Sequence, residues 1–146
     1  MQLRGVTVST AGPTLSGWPR QIVWREFRDL GSRPSGTFED VQVAVELRPS
    51  QISIERENGQ FKLGNVTFRM GVNRHDSWVV ADQKSSALLA HEQGHYDIVG
   101  LYYRDLITEL QRLRTSSQCE LAREVSRIMG QYDQLADTLS DEYDSS

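Results

Sequence analysis

The chain has 146 residues, with 16 lysines and arginines against 20 aspartates and glutamates, for a formal charge of −4. That length suits one domain, since a chain of roughly 150 residues buries about two-thirds of its unfolded surface. With 38% hydrophobic and 25% charged residues the composition excludes wholesale disorder, and the mild acidity argues against a partner such as nucleic acid, whose phosphates need a positive field.

No apolar run approaches the roughly 18 residues that a membrane span needs. Residues 1–15 carry no charged-then-apolar export segment, so these residues read as a cytoplasmic protein or a trimmed exported one. The single cysteine, Cys119, excludes an internal disulfide and a cysteine-based zinc knuckle, and it is expected to be a buried, inert thiol.

A single domain, 1–146, is expected in two parts. Residues 1–80 are rich in β-branched and aromatic residues and hold all four prolines. Within them, residues 21–30 read as a short amphipathic segment whose Trp24 and Phe27 belong to the core, and residues 31–36 read as a loop. Val41 to Leu47 places apolar side chains at odd positions, the period of a half-buried strand. Pro49 and Ser50 break it, and alternation resumes over residues 51–55. Asn58-Gly59 signals a hairpin, because a type I′ turn needs positive φ twice. Phe61 and Leu63 alternate after it, then the phase shifts at Gly64-Asn65 to Val66, Phe68, Met70 and Val72. A bulge or second tight turn is expected there. Residues 77–80 form a last short strand.

From residue 82 to 143 the period becomes helical. Asp82 or Ser85 caps the first helix, on which Leu88, Val99, Leu106, Leu110 and Leu113 share a face. Thr115-Ser116-Ser117 makes a polar turn. Leu121, Val125, Ile128, Tyr132, Leu135 and Leu139 then mark a second amphipathic helix, antiparallel to the first because the connection is short. The expected fold class is α+β, a mostly antiparallel sheet followed by a long two-helix hairpin.

His91-Glu92-Gln93-Gly94-His95 fits H-E-x-x-H. Residues four apart share a helix face, so two imidazoles can hold one metal ion, while the glutamate between them is placed to take a proton from the metal's water. Glu92 and His95 also fall inside the apolar stripe of their helix, with His91 at its edge. Burying ionisable groups costs several kcal/mol unless partners offset it, and a metal ion is such a partner.

The run from Ser77 to Val80 and that from Ala87 to Ile98 resemble an uncharacterised bacterial family described as predicted secreted zinc-dependent proteases. Trp24-Arg25-Glu26-Phe27 is similar to that family's upstream W-x-x-F element. The resemblance covers roughly residues 20–146. It implies a zincin-like metallopeptidase, a Zn2+ cofactor, a peptide or protein substrate, and a secreted or periplasmic location. Tyr143-Asp144-Ser145-Ser146 is similar to the start of a Y-D-x-x-T-x-H-G element near the family's C-terminus, as if cut inside it.

A catalytic zinc site wants three protein ligands and an open position. Ile98 and Leu101 stand where H-E-x-x-H-x-x-G-x-x-H needs glycine and histidine, which excludes that arrangement. Other zinc peptidases take a carboxylate from a later helix. Asp133, Asp137 and Asp141 have the right height but point away from the stripe of the second helix. Glu142 lies at its edge and is the expected third ligand, with His75, from the sheet side, as the alternative. Glu109 is in phase with His91 but too far along. Tyr96, Tyr102, Tyr103, Tyr132 and Tyr143 are candidates to stabilise an oxyanion, and Tyr102 shares the face of His91. An edge strand within residues 66–80 is expected to bind extended substrate by strand addition.

The expected function is therefore zinc-dependent peptide-bond hydrolysis with Glu92 as general base. The alternative is a non-catalytic metal-binding or protein-interaction module on the same scaffold.

Overall fold

The computed structural model describes residues 12–145, without the side chains of Leu139, Ser140, Glu142 and Ser145. Eight strands precede two long helices among these residues. The strands are β1 (Pro13–Ser16), β2 (Arg28–Leu30), β3 (Val41–Gln42), β4 (Val45–Pro49), β5 (Ile54–Glu57), β6 (Gln60–Leu63), β7 (Val66–Val72) and β8 (Trp78–Val80). The helices are α1 (Ser86–Arg112) and α2 (Gln118–Ser145). The fold is α+β, as the change of period at residue 80 implies.

Local chemistry explains the elements read correctly. Asn58 and Gly59 both take positive φ, 54° and 79°, and close the hairpin that pairs β5 with β6. The phase shift at Gly64-Asn65 is the break between β6 and β7, which lie in different sheets. On β7 the alternation buries Val66, Phe68 and Met70. The Ser85 hydroxyl caps α1 by accepting the Leu88 N–H at 3.0 Å. The turn before α2 is fastened to β6, where Phe61 and Thr115 exchange backbone hydrogen bonds of 2.8 and 3.0 Å.

The sheets are mixed rather than mostly antiparallel. β7 is central in a three-stranded sheet, parallel to β1 and antiparallel to β4. β8 is central in another, parallel to β2 and antiparallel to β3. Both parallel partners arrive from distant sequence, so no turn announces them. The central positions also correct the expected docking edge, because β7 and β8 are each paired on both sides. The single strand expected over residues 41–47 is divided between the two sheets. Between the two pieces the Ser77 hydroxyl accepts the Ala44 N–H at 2.9 Å, where the chain passes from β8 to β7.

Residues 21–30 hold a 3-10 turn, Trp24–Glu26, followed by β2, with Phe27 buried and Trp24 packed against the core. α1 lies at the centre of the core, burying Tyr96, Val99, Leu106 and Leu110 against both the sheets and α2. Each such aliphatic side chain contributes roughly 1.5–3 kcal/mol of burial. α2 buries Leu121, Val125 and Ile128 as expected, but then Ala136, while Leu135 is 48% exposed. Two heptads after Leu121 a straight helix has drifted about 40° from a strict seven-residue repeat, which carries Leu135 toward the edge of the buried face. Cys119 is exposed on the first turn of α2, not buried, because it lies off the stripe of Leu121 and Val125. Among the described residues no helix is long and apolar enough to cross a membrane.

Candidate metal centre

His91, Glu92 and His95 project from the second and third turns of α1. Their ligand atoms all lie within 4.8 Å of one another. Glu92 and His95 are buried, 4% and 5% exposed, while His91 is partly open. The stripe thus carries two ionisable side chains where packing alone would take leucine.

The two residues inside the motif fasten it to the rest of the fold. The Gln93 side chain accepts the Ile22 N–H at 2.8 Å and donates to the Arg20 carbonyl at 2.9 Å and to Asp97 at 3.0 Å. The segment entering the W-R-E-F element is therefore clamped to the motif helix. Arg20 in turn forks onto Glu26 at 2.6 and 3.0 Å and lies over the Tyr96 ring. Gly94 leaves room for α2: a Cβ there would occupy the space of the Tyr143 phenol.

Tyr143 and Asp144, at the end of α2, complete the cluster. The Tyr143 ring stacks on His91, centroids 4.5 Å apart and 19° from parallel, and meets His95 edge-on at 4.7 Å. One Asp144 oxygen lies 3.1 Å from His91 Nε2 and 2.6 Å from His95 Nε2. Burial raises the Asp144 pKa, but the hydrogen bonds from both imidazoles outweigh it and hold the carboxyl below its ordinary value. For Glu92, burial dominates. It pushes the carboxyl up to about 7, against the pull of His91 and with the help of Asp144 and Glu39.

These side chains line one end of a cleft of about 700 Å³. Phe38 to Val43 forms its other wall, and Asp137, Asp141 and Asp144 line it from α2. The donor types fit a divalent ion: His91, Glu92 and His95 could hold one, and Asp144 adds a carboxylate beside both imidazoles, of the kind in a His-His-carboxylate zinc set.

Among the described residues the carboxylate beside both imidazoles is that of Asp144, two positions beyond Glu142, whose side chain lies outside the described residues. His75 is exposed in the turn before β8 and does not line the cleft. Asp137 and Asp141 line the cleft and are exposed, off the buried stripe of α2 as their phase requires. Asp133 instead accepts the Tyr103 hydroxyl at 2.8 Å, and Glu109 accepts that of Tyr132 at 2.9 Å. Tyr96 donates to the Gly17 carbonyl at 2.7 Å, and Tyr102 packs against the core, which leaves Tyr143 as the tyrosine at the imidazoles. The signal for Asp144 was present: Asp137, Asp141 and Asp144 stand at i, i+4 and i+7, a carboxylate stripe on one helix face.

No curated protein and no solved structure matches the chain. A family model does match, over residues 11–146, and it takes in the W-R-E-F element, the motif helix and the end of α2 that meets it. The chain belongs to the family described as Bacterial protein of unknown function (DUF922).

Proposed function

We propose that this protein is a zinc-dependent hydrolase of peptide bonds, in which His91, His95 and Asp144 hold the ion and Glu92 is the general base. The observation that carries this reading is Glu92 itself, buried beside two imidazoles that converge on a carboxylate, on the wall of an open cleft. A structural site has no need of such a base.

When bound, the ion would supply Lewis acidity toward the scissile carbonyl and lower the pKa of water in the site. The protein's own groups do the rest. Glu92, with a pKa near 7, matches the operating range of a general base, able to take a proton from the attacking water and return it to the leaving amine. The contacts of Asp144 with both Nε2 atoms bring its carboxylate to the imidazoles, and Tyr143 fixes the His91 ring by stacking. The cleft lining from Phe38 to Val43 includes β3, which among the described residues pairs with β8 alone and so leaves an edge for extended substrate. The resemblance to predicted secreted proteases supports a location outside the cytoplasm.

The test pairs metal content with turnover in wild type and Glu92→Gln. Both forms should bind one zinc ion per chain. Hydrolysis of an unfolded-protein substrate should fall about a hundred- to ten-thousand-fold in the variant. Equal turnover in both would exclude Glu92 as the base. One bound ion with no turnover in wild type would favour the alternative, a non-catalytic metal-binding module in which Asp144 closes the site.

A further inference from the structure

We propose that the cleft selects cationic substrates, peptides carrying lysine or arginine beside the bond to be cut; this rests on the hydrolase reading above. Six of the lining side chains are carboxylates: Glu39, Asp40, Glu92, Asp137, Asp141 and Asp144. Among the described residues no lysine or arginine lines the cleft. Arg33 neutralises one of the six from outside, through its 2.7 Å contact with Asp40. Asp144 is engaged by the imidazoles.

Asp141 is engaged as well, which leaves Glu39 and Asp137, exposed at the cleft, and Glu92, buried in it. Glu92 is 4% exposed, lines the cleft and makes no hydrogen bond with the described residues, so its carboxylate has a side open to whatever enters. Glu39 and Asp137 line the same cleft, one from the segment before β3 and one from α2. A negative concavity with low-dielectric walls concentrates its field on the space between them and draws in positive charge. The same field repels an acidic peptide, which gives selectivity by exclusion as well as attraction.

The test uses three labelled peptides of equal length and apolar content, one rich in lysine and arginine, one neutral and one rich in glutamate. Binding to the full chain is measured by fluorescence anisotropy in the presence of a chelator, so that no cleavage intervenes. Cleavage of the same peptides is then followed with the zinc-loaded protein. The cationic peptide should bind about tenfold or more tightly than the neutral one at low salt, and lose most of that advantage near 0.5 M salt. The double substitution Glu39→Gln with Asp137→Asn should remove most of the discrimination, leaving neutral-peptide binding and the circular dichroism spectrum unchanged. Equal binding of all three peptides would overturn the inference, as would discrimination that survives the double substitution. Cleavage of all three at one rate would overturn it while leaving the hydrolase reading intact. Charge-selective binding lost in the double variant, with no cleavage of any peptide, would support it and overturn the hydrolase reading alone.

Discussion

One carboxylate oxygen of Asp144 lies 2.6 Å from Nε2 of His95, so the last turn of α2 closes onto the third turn of the motif helix across 49 residues of sequence. The same oxygen reaches His91 at 3.1 Å, which makes Asp144 the point where both imidazoles meet. Asp144→Ala should therefore weaken zinc binding by at least about tenfold, the scale on which even outer partners of a metal site act. His75→Ala should leave affinity unchanged. Competition with a chromophoric chelator measures both, and equal affinities for wild type and Asp144→Ala would remove Asp144 from the ligand set.

Gly94 and Tyr143 cannot both keep their places once Gly94 bears a methyl group. Alanine in a helix interior is worth about 1 kcal/mol over glycine, so Gly94→Ala should cost little stability, or even gain some. Zinc affinity should nevertheless fall, because the displaced phenol carries Asp144 with it. A double-mutant cycle with Tyr143→Ala checks this: the two effects on affinity should be strongly non-additive. Simple additivity would mean that the end of α2 moves independently of the motif.

Glu26 ties the segment clamped by Gln93. Burial works to raise its pKa, yet the bonds from Arg20 and the Val23 N–H outweigh it and hold the carboxyl below its ordinary value of 4.5. A lowered folded-state pKa contributes stability above the unfolded value, and that stability is lost as pH falls through the folded value. Glu26→Gln should thus lower the unfolding free energy by about 1 kcal/mol near neutral pH, since the pair is partly exposed. The gap should close at pH values well below 4.5. Urea titrations at both pH values test it; a gap that widens in acid would show the sign to be wrong.

Leu106 is fully buried on α1, in the core shared by the sheets and α2. Leu106→Ala should cost about 2–5 kcal/mol in unfolding free energy, from lost transfer energy and the cavity left behind. Leu135→Ala, at a position 48% exposed, should cost well under that. Comparable losses at the two sites would contradict the drift of the buried face of α2 described above.

The residues by themselves determined whatever depends on neighbours a few positions apart. Asn58-Gly59 specified its hairpin, Ser85 its cap, and the spacing of Leu121, Val125 and Ile128 the first half of the buried face of α2. His91 and His95 shared a face because the helical repeat requires it, and the placing of Glu92 and His95 within the apolar stripe foretold their burial. Tertiary structure decided what depends on where one element lands on another. The parallel pairing of β1 with β7 and of β2 with β8 joins segments about 50 residues apart, with no turn chemistry to announce it. Along α2 each residue is about 100° from the next, so a shift of one position in which side faces α1 replaces Leu135 by Ala136. Asp137 and Asp141 reach the cleft from the exposed side of that helix, and Asp144 meets the imidazoles from its last turn. An apolar pattern records which side chains can be buried, whereas the place where two helices meet decides which carboxylate arrives at the imidazoles.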